Sequence, residues 1–262
     1  MNKEIRQQYE LMCTAIMFYT RLPVAKNLPY SQNRLNRSRK YFPVVGILVG
    51  AIAALSFYVT TYFIGNQVAV ILSIAASVLV TGAFHEDGFA DSCDGLGGGW
   101  EKDSVLTIMK DSRIGTYGSV GLFMMLTLKF TCLVNLTELS STALFLLIYI
   151  CGHVVSRQLS SSAIELFDYV QDIDLSKVKP ITDNRLPYKD QAVSFAVTGA
   201  TILSLCYWNM YLLLAVIIAS LLALCFLLYS KKRIGGFTGD ILGATQQISE
   251  VGFYVVALSI LN

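Results

Sequence analysis

The sequence predicts an all-α fold: a polytopic membrane helical bundle of about seven transmembrane helices plus a short N-terminal interfacial or half-inserted helix. Three observations predict it. Hydrophobic residues make up 54% of the 262 positions and charged residues only 15%, against about 25% charged in ordinary soluble domains. Mean hydropathy is +0.56. The apolar residues are also gathered into runs of about 20, the length a helix needs to cross a hydrocarbon core.

Taken in order, the start Met1-Asn2-Lys3-Glu4-Ile5-Arg6 is too polar for a secretory leader. The apolar stretch 11–19 that follows is too short to span. Full-length runs then occupy 43–63, 67–84, 116–135, 143–161, 191–207, 211–229 and 241–261. Gly65-Asn66, 138–141 and 208–210 are tight turns, whereas 21–42, 85–115, 162–190 and 231–240 are long or charged. Basic residues crowd the second set: Arg34, Arg37, Arg39 and Lys40, then Lys102, Lys110 and Arg113, then Lys177, Lys179, Arg185 and Lys189, then Lys231, Lys232 and Arg233. The positive-inside rule puts those four loops on the cytoplasmic face of one integral membrane domain covering 1–262. Neither an internal repeat nor a low-complexity tract interrupts it. Cys13, Cys132, Cys151, Cys206 and Cys225 lie singly in apolar segments, with only Cys93 in a polar one; they read as small, reduced core residues. The net charge of +2 by itself says nothing about nucleic acid, and none is expected as a partner. The lipid bilayer is.

The chemistry concentrates directly after the second span, in His85-Glu86-Asp87-Gly88-Phe89-Ala90-Asp91-Ser92-Cys93-Asp94-Gly95-Leu96-Gly97-Gly98-Gly99. Asp87, Asp91 and Asp94 follow i, i+4, i+7 spacing, which stacks three carboxylates on one helical face about 5–6 Å apart. Such a face repels itself unless a cation lies between its members. With Glu86 the set forms a tetrad of hard oxygen donors without paired His or Cys, the chemistry of Mg²⁺, with Mn²⁺ as its substitute. The plainer reading is a solvated acidic helix cap. Gly97 and Gly98 leave backbone amides open to a phosphate, or simply make a turn. His85 suits proton relay, or a structural bond to a neighbouring acid.

Before the third span, Met109-Lys110-Asp111-Ser112-Arg113-Ile114-Gly115-Thr116-Tyr117-Gly118 offers a forked guanidinium at Arg113, a point charge at Lys110, and Asp111 as a ligand or as the group that orients Arg113. Anchoring at the membrane surface is the alternative. His153 and Arg157 share a face of the fourth span, and Arg157 is expected to point into the bundle. In the last segment Asp240, Gln247 and Glu250 fall near one face. Glu250 sits near mid-span, where a bare carboxylate is costly; Arg113, Arg157 and Lys129 are the partners it could take. Phe18-Tyr19-Thr20-Arg21-Leu22-Pro23 places one more arginine at the same opening, where it reads as an interfacial anchor.

These pieces together resemble the cobalamin synthase family, the adenosylcobinamide-GDP ribazoletransferases. The resemblance runs nearly end to end, through FYTRLP (18–23), YFPVVGILVG (41–50), HEDGFADSCDGLGGG (85–99), MKDSRIGTYG (109–118) and GFTGDILGA (236–244). The acid–glycine stretch 85–99 and the stretch 109–118 in combination are specific to that family. Gln247 departs from the pattern, standing where an acid is more usual, so position 247 is given no metal role. The resemblance implies Mg²⁺-dependent joining of adenosylcobinamide-GDP to α-ribazole or its 5′-phosphate, giving adenosylcobalamin or its 5′-phosphate and GMP. It further implies a prokaryotic inner membrane, with a homo-oligomer or other enzymes of the same pathway as further partners.

On that reading Glu86, Asp87, Asp91 and Asp94 bind the metal. Asp91, Asp94 or His85 assists the proton transfer, Lys110 and Arg113 clamp the diphosphate, and Arg157, Asp240 and Glu250 line an inner cavity. The acidic motif also looks like a variation on that of the CDP-alcohol phosphotransferases, but Gly88-Phe89-Ala90 is followed by Asp91 instead of completing their signature. A cation-coupled transporter would place such acids near the midplane of two similar halves, whereas these gather at one face of a chain with dissimilar halves.

Overall fold

In a computed structural model of the chain, residues 3–25, 27–170 and 185–262 are described. Helix α1 (Lys3–Tyr19) leads through an extended stretch to α2 (Gln32–Ser38), whose first turn is capped by the Ser31 hydroxyl accepting the Arg34 N–H. One 3-10 turn, Arg39–Tyr41, carries the chain into α3 (Phe42–Ile64), with Pro43 in the first turn where a missing N–H is harmless. Helix α4 (Asn66–Thr81) returns. There the chain turns by 90° through Gly82 and Ala83, both at positive φ, into α5 (Phe84–Gly98). Then follow α6 (Lys102–Met109), α7 (Thr116–Leu139), α8 (Thr142–Leu166), α9 (Tyr188–Trp208), α10 (Leu213–Ile234) and α11 (Gly239–Leu261).

Helix α11 is the axis of the bundle, packed by α5, α7, α8 and α10. Phe253, Tyr254 and Ala257 meet Tyr149, Ile148, Phe145, Leu133 and Leu136 in a dry core. The outward faces are also apolar: Leu55, Phe63, Phe123, Leu203 and Leu228 are all exposed. Large apolar side chains spread over the outside of several helices are what a hydrocarbon solvent calls for. Among the described residues five helical stretches are long and apolar enough to cross a membrane, and six if the bent α4–α5 pair counts as one span. The protein is therefore a multi-pass membrane helical bundle.

The expected seven spans differ from this at two places. The run 67–84 does not continue straight, because Gly82 and Ala83 break it and send Phe84 into α5. The run 241–261 does form a 23-residue helix, but it is not among the apolar spans. Its polar residues face the bundle interior, where neighbouring helices and not lipid surround them. Two connections expected as loops also contain helix. The stretch 85–115 is largely α5 and α6, and 21–42 contains α2 and the 3-10 turn. Lys177 and Lys179 lie outside the described residues.

Candidate active site

Helix α5 lies across one end of the bundle. Its contacts with α7 and α11 include Ala90, Cys93 and Asp94 against Gly115–Gly121, and His85, Glu86 and Gly88 against 240–247. The crossing is close because position 88 has no side chain. A Cβ there would stand 3.0 Å from the Asp240 Cα and carbonyl oxygen. The contact brings the first turn of α11, capped by Thr238, up to the acidic face of α5.

On that face Asp87 is exposed and Asp91 half-buried. Burial, followed by the negative charges of Asp240, Asp87 and Asp94, pushes the Asp91 carboxyl up to about 7. Burial and then Asp87 raise Asp240 to about 6. Asp87, Asp91 and Asp240 thus form an acidic group whose mutual repulsion is unrelieved. Asp240, expected to line an inner cavity, belongs to this outer group instead.

The other two members of the expected tetrad go elsewhere. Asp94 is buried, and its carboxylate accepts the Gly115 N–H at 2.7 Å and the Gly118 N–H at 2.8 Å. It is the anion at the N-terminus of α7, where orphan amides and the helix dipole favour one. Glu86, one residue off the Asp87 face and so about 100° around the helix, turns inward and accepts the Gln247 side-chain N–H at 3.0 Å. Among the described residues no three His, Cys, Asp or Glu side chains gather tightly enough to hold an ion. The tetrad therefore does not close on one shared cation here. The tight seat of Asp94 carries a prediction. In Gly118→Ala the new methyl would overlap the Asp94 carboxylate and crowd the Ala90 carbonyl oxygen at 2.9 Å. A destabilisation of about 1–3 kcal/mol is expected, read as an earlier melt in detergent; an unchanged melt would show that α7 is not held by this contact.

Gly97 and Gly98 form the last helical turn of α5 and are exposed, so their amides do not make the open phosphate loop that was expected. Arg233 holds that helix end, donating to the carbonyl oxygens of Leu96 at 3.2 Å and Gly99 at 2.5 Å. Lys110, Asp111 and Arg113 occupy the α6–α7 connection. Lys110 and Arg113 are exposed, and Arg113 forks onto Asp111 with bonds of 3.0 and 2.7 Å. That guanidinium holds the Asp111 carboxyl down at about 2.

Beneath the acidic face is a second, buried layer. His85 is 2% exposed and its ring lies 5.9 Å from that of Phe42. It faces the interior with Glu86, away from the exposed Asp87, which argues against a part for it in proton transfer at the acidic face. Arg157 on α8 is buried and donates to the His153 carbonyl oxygen at 3.0 Å. As expected, it points into the bundle. Glu250 takes Lys129 as its partner, at 2.5 Å with both side chains 1% exposed. Gln246 donates to the same carboxylate at 2.5 Å, and His153 Nδ1 lies 3.3 Å from it. Of the three candidate cations it is Lys129, standing alone in the apolar run of α7, that supplies the charge. Gln246 was not anticipated, although its i, i+4 relation to Glu250 was available in the sequence.

The chain matches the family described as cobalamin-5-phosphate synthase over residues 11–258. A Vibrio cholerae protein named adenosylcobinamide-GDP ribazoletransferase is 42% identical over 259 residues, covering 98% of this chain and 97% of its own. Proteins of the same name from Shewanella amazonensis and Leptospira interrogans are 42% and 41% identical, covering 97% of this chain and 96% and 97% of theirs. No solved structure matches the chain.

Proposed function

The chain belongs to the cobalamin-5-phosphate synthase family, and from that premise we propose that its acidic bundle end joins α-ribazole, or its 5′-phosphate, to adenosylcobinamide-GDP with release of GMP. It is a transferase, and the reaction is the closing step of nucleotide-loop assembly in cobalamin biosynthesis. The observation that carries the assignment of the site is the unrelieved group of Asp87, Asp91 and Asp240, open to solvent at one end of a membrane bundle.

The donor set fits Mg²⁺, or Mn²⁺ in its place. All the donors are carboxylate oxygens, and Mg²⁺ is typically held by one or two carboxylates plus substrate phosphates and water. A complete three-residue cage in the protein alone is therefore not required. When bound, such an ion supplies positive charge against the departing GMP and the phosphoryl oxygens. Asp87 and Asp91 on α5, with Asp240 on α11, would hold it. Asp94 acts at one remove, fixing α7 against α5 so that the acidic face keeps its shape.

The reaction forms a bond from the ribazole 3′-oxygen to the cobinamide-side phosphorus and breaks the bond from that phosphorus to the GMP oxygen. The hydroxyl proton passes to a carboxylate of the solvent-open face, since His85 is turned into the bundle. Lys110 and Arg113 approach the diphosphate from the α6–α7 connection. Arg233, at the end of α5, and Arg37 and Lys40, both bonded to Asp190 at the start of α9, put the basic residues at the same end as the acids. That supports an active site on the cytoplasmic side of the inner membrane.

Purified protein in vesicles, given adenosylcobinamide-GDP, α-ribazole and Mg²⁺, is expected to release GMP, to stop on addition of EDTA, and to resume with excess Mg²⁺. Turnover indifferent to EDTA would remove the metal. CMP release from a CDP-activated alcohol, with no GMP from the corrinoid, would replace this function with that of the related phosphotransferases.

A further inference from the structure

The corner between α4 and α5 holds a guanidinium that the expected site did not include. Arg21 follows α1, and its backbone is fixed: its N–H donates to the Val80 carbonyl oxygen at 2.7 Å, and the turn around it is closed by Leu22 N–H donating to the Thr20 hydroxyl at 3.2 Å. The end of α1 is clamped to the same corner by aromatic contacts. Tyr19 stacks on Phe42 at 3.9 Å, and Phe18 and Tyr19 meet Phe84 edge-on at 5.9 and 6.2 Å. The guanidinium lies over Gly82, and any side chain at position 82 would collide with it.

Although its backbone is anchored, Arg21 is exposed and its side chain has no carboxylate or carbonyl partner among the described residues. Two other arginines of this end are engaged within the protein: Arg157 is buried and bonded to the His153 carbonyl oxygen, and Arg233 caps α5. Nor is Arg21 needed to close the end of α4. The Val78 carbonyl oxygen accepts the Gly82 and Ala83 N–H groups, and Val80 accepts the Arg21 backbone N–H. An exposed, unpaired guanidinium fork on an anchored backbone is suited to phosphate oxygens. Asp87 lies in the first turn of α5 beyond that corner: its N–H is bonded to the Ala83 carbonyl oxygen, four residues or about 6 Å along the helix axis. A diphosphate moored beside Asp87 can bridge that gap.

We propose that Arg21 binds the diphosphate of the nucleotide-activated donor at the α4–α5 corner, opposite the approach from the α6–α7 connection. This rests on the phosphotransferase reading of the acidic face, so its test includes a readout that needs no turnover. In Arg21→Ala the KM for adenosylcobinamide-GDP should rise tenfold or more, with the KM for α-ribazole unchanged and the melt in detergent matching the parent. Arg21→Lys, which keeps the charge and loses the fork, should fall between. Calorimetric titration with Mg²⁺ and GDP should show tight binding by the parent and at least tenfold weaker binding by Arg21→Ala. If the parent released no GMP yet this binding difference appeared, the reaction would be wrong and the diphosphate site right. An Arg21→Ala protein that binds GDP like the parent, a parent that binds none, or equal KM changes for both substrates would overturn the assignment.

Discussion

Replacing Asp91 by asparagine is expected to cut GMP release by on the order of a hundred- to a thousand-fold, the scale seen when one electrostatic group of a transition-state site is removed, while the protein still inserts and folds. The substitution also tests the charge balance. Asp91 and Asp240 have carboxyls raised to about 7 and about 6, above the unfolded value near 4. A carboxyl raised in the folded state leaves stability intact below about pH 4. It lowers stability as pH climbs through its folded value, because the unfolded chain ionises at less expense. Without divalent cations the melting temperature in detergent should therefore fall between pH 5 and pH 8, and added Mg²⁺ should recover it at pH 8. Asp240 is the more enclosed group and should dominate the slope; the half-exposed Asp91 contributes less because water screens it. Asp240→Asn should flatten the profile more than Asp91→Asn does. A level profile in the parent would mean that the two carboxylates do not repel as described, and near-normal turnover in Asp91→Asn would remove it from the chemistry.

The second large effect lies in the buried layer. Lys129→Met should leave Glu250 charged, 1% exposed and without its cation, which costs about 3–5 kcal/mol when one partner of a buried pair is removed. The expected result is a lower melting temperature or failure to accumulate in the membrane. The double variant Lys129→Met with Glu250→Gln removes both charges and should recover most of that loss. Gln246 and Tyr254, which reach the same carboxylate at 2.5 and 3.5 Å, remain to bond the new amide. If the double variant were no more stable than Lys129→Met, the pair would owe its place to something other than mutual neutralisation. Its activity separates roles: full turnover marks the pair as structural, and lost turnover in a stable protein marks it as supporting the acidic end from below.

Much of this was legible from residue spacing, and the failures have physical causes. The i, i+4 relation of Asp87 and Asp91 correctly placed both on one face of a helix. Continuing the same row to Asp94 misled, because helical spacing fixes where a side chain starts and not which donors it meets. The two amides opening α7 drew that carboxylate away, and the Gly115 and Gly118 pattern was the only hint. Glu86 was grouped with the aspartates by adjacency, although one residue is about 100° of rotation. Hydropathy read 67–84 as a straight span because a two-residue bend leaves the apolar count almost unchanged. The same measure counted 241–261 as a span, yet its polar side chains serve the centre of the bundle. Lys129 as partner of Glu250 required helices 121 positions apart to meet, which periodicity within one helix does not reveal.

The way α5 is seated has a consequence for biogenesis. Its seat is made by α11, through contacts such as Glu86 to Gln247, 161 positions later in the chain. During synthesis the acid-bearing helix leaves the ribosome long before the helix that receives it, and until then it is a short, charged segment hanging from the end of α4. The acidic end of the bundle is therefore assembled only once translation has reached α11, so a nascent chain stalled short of it is expected to be inserted but inert.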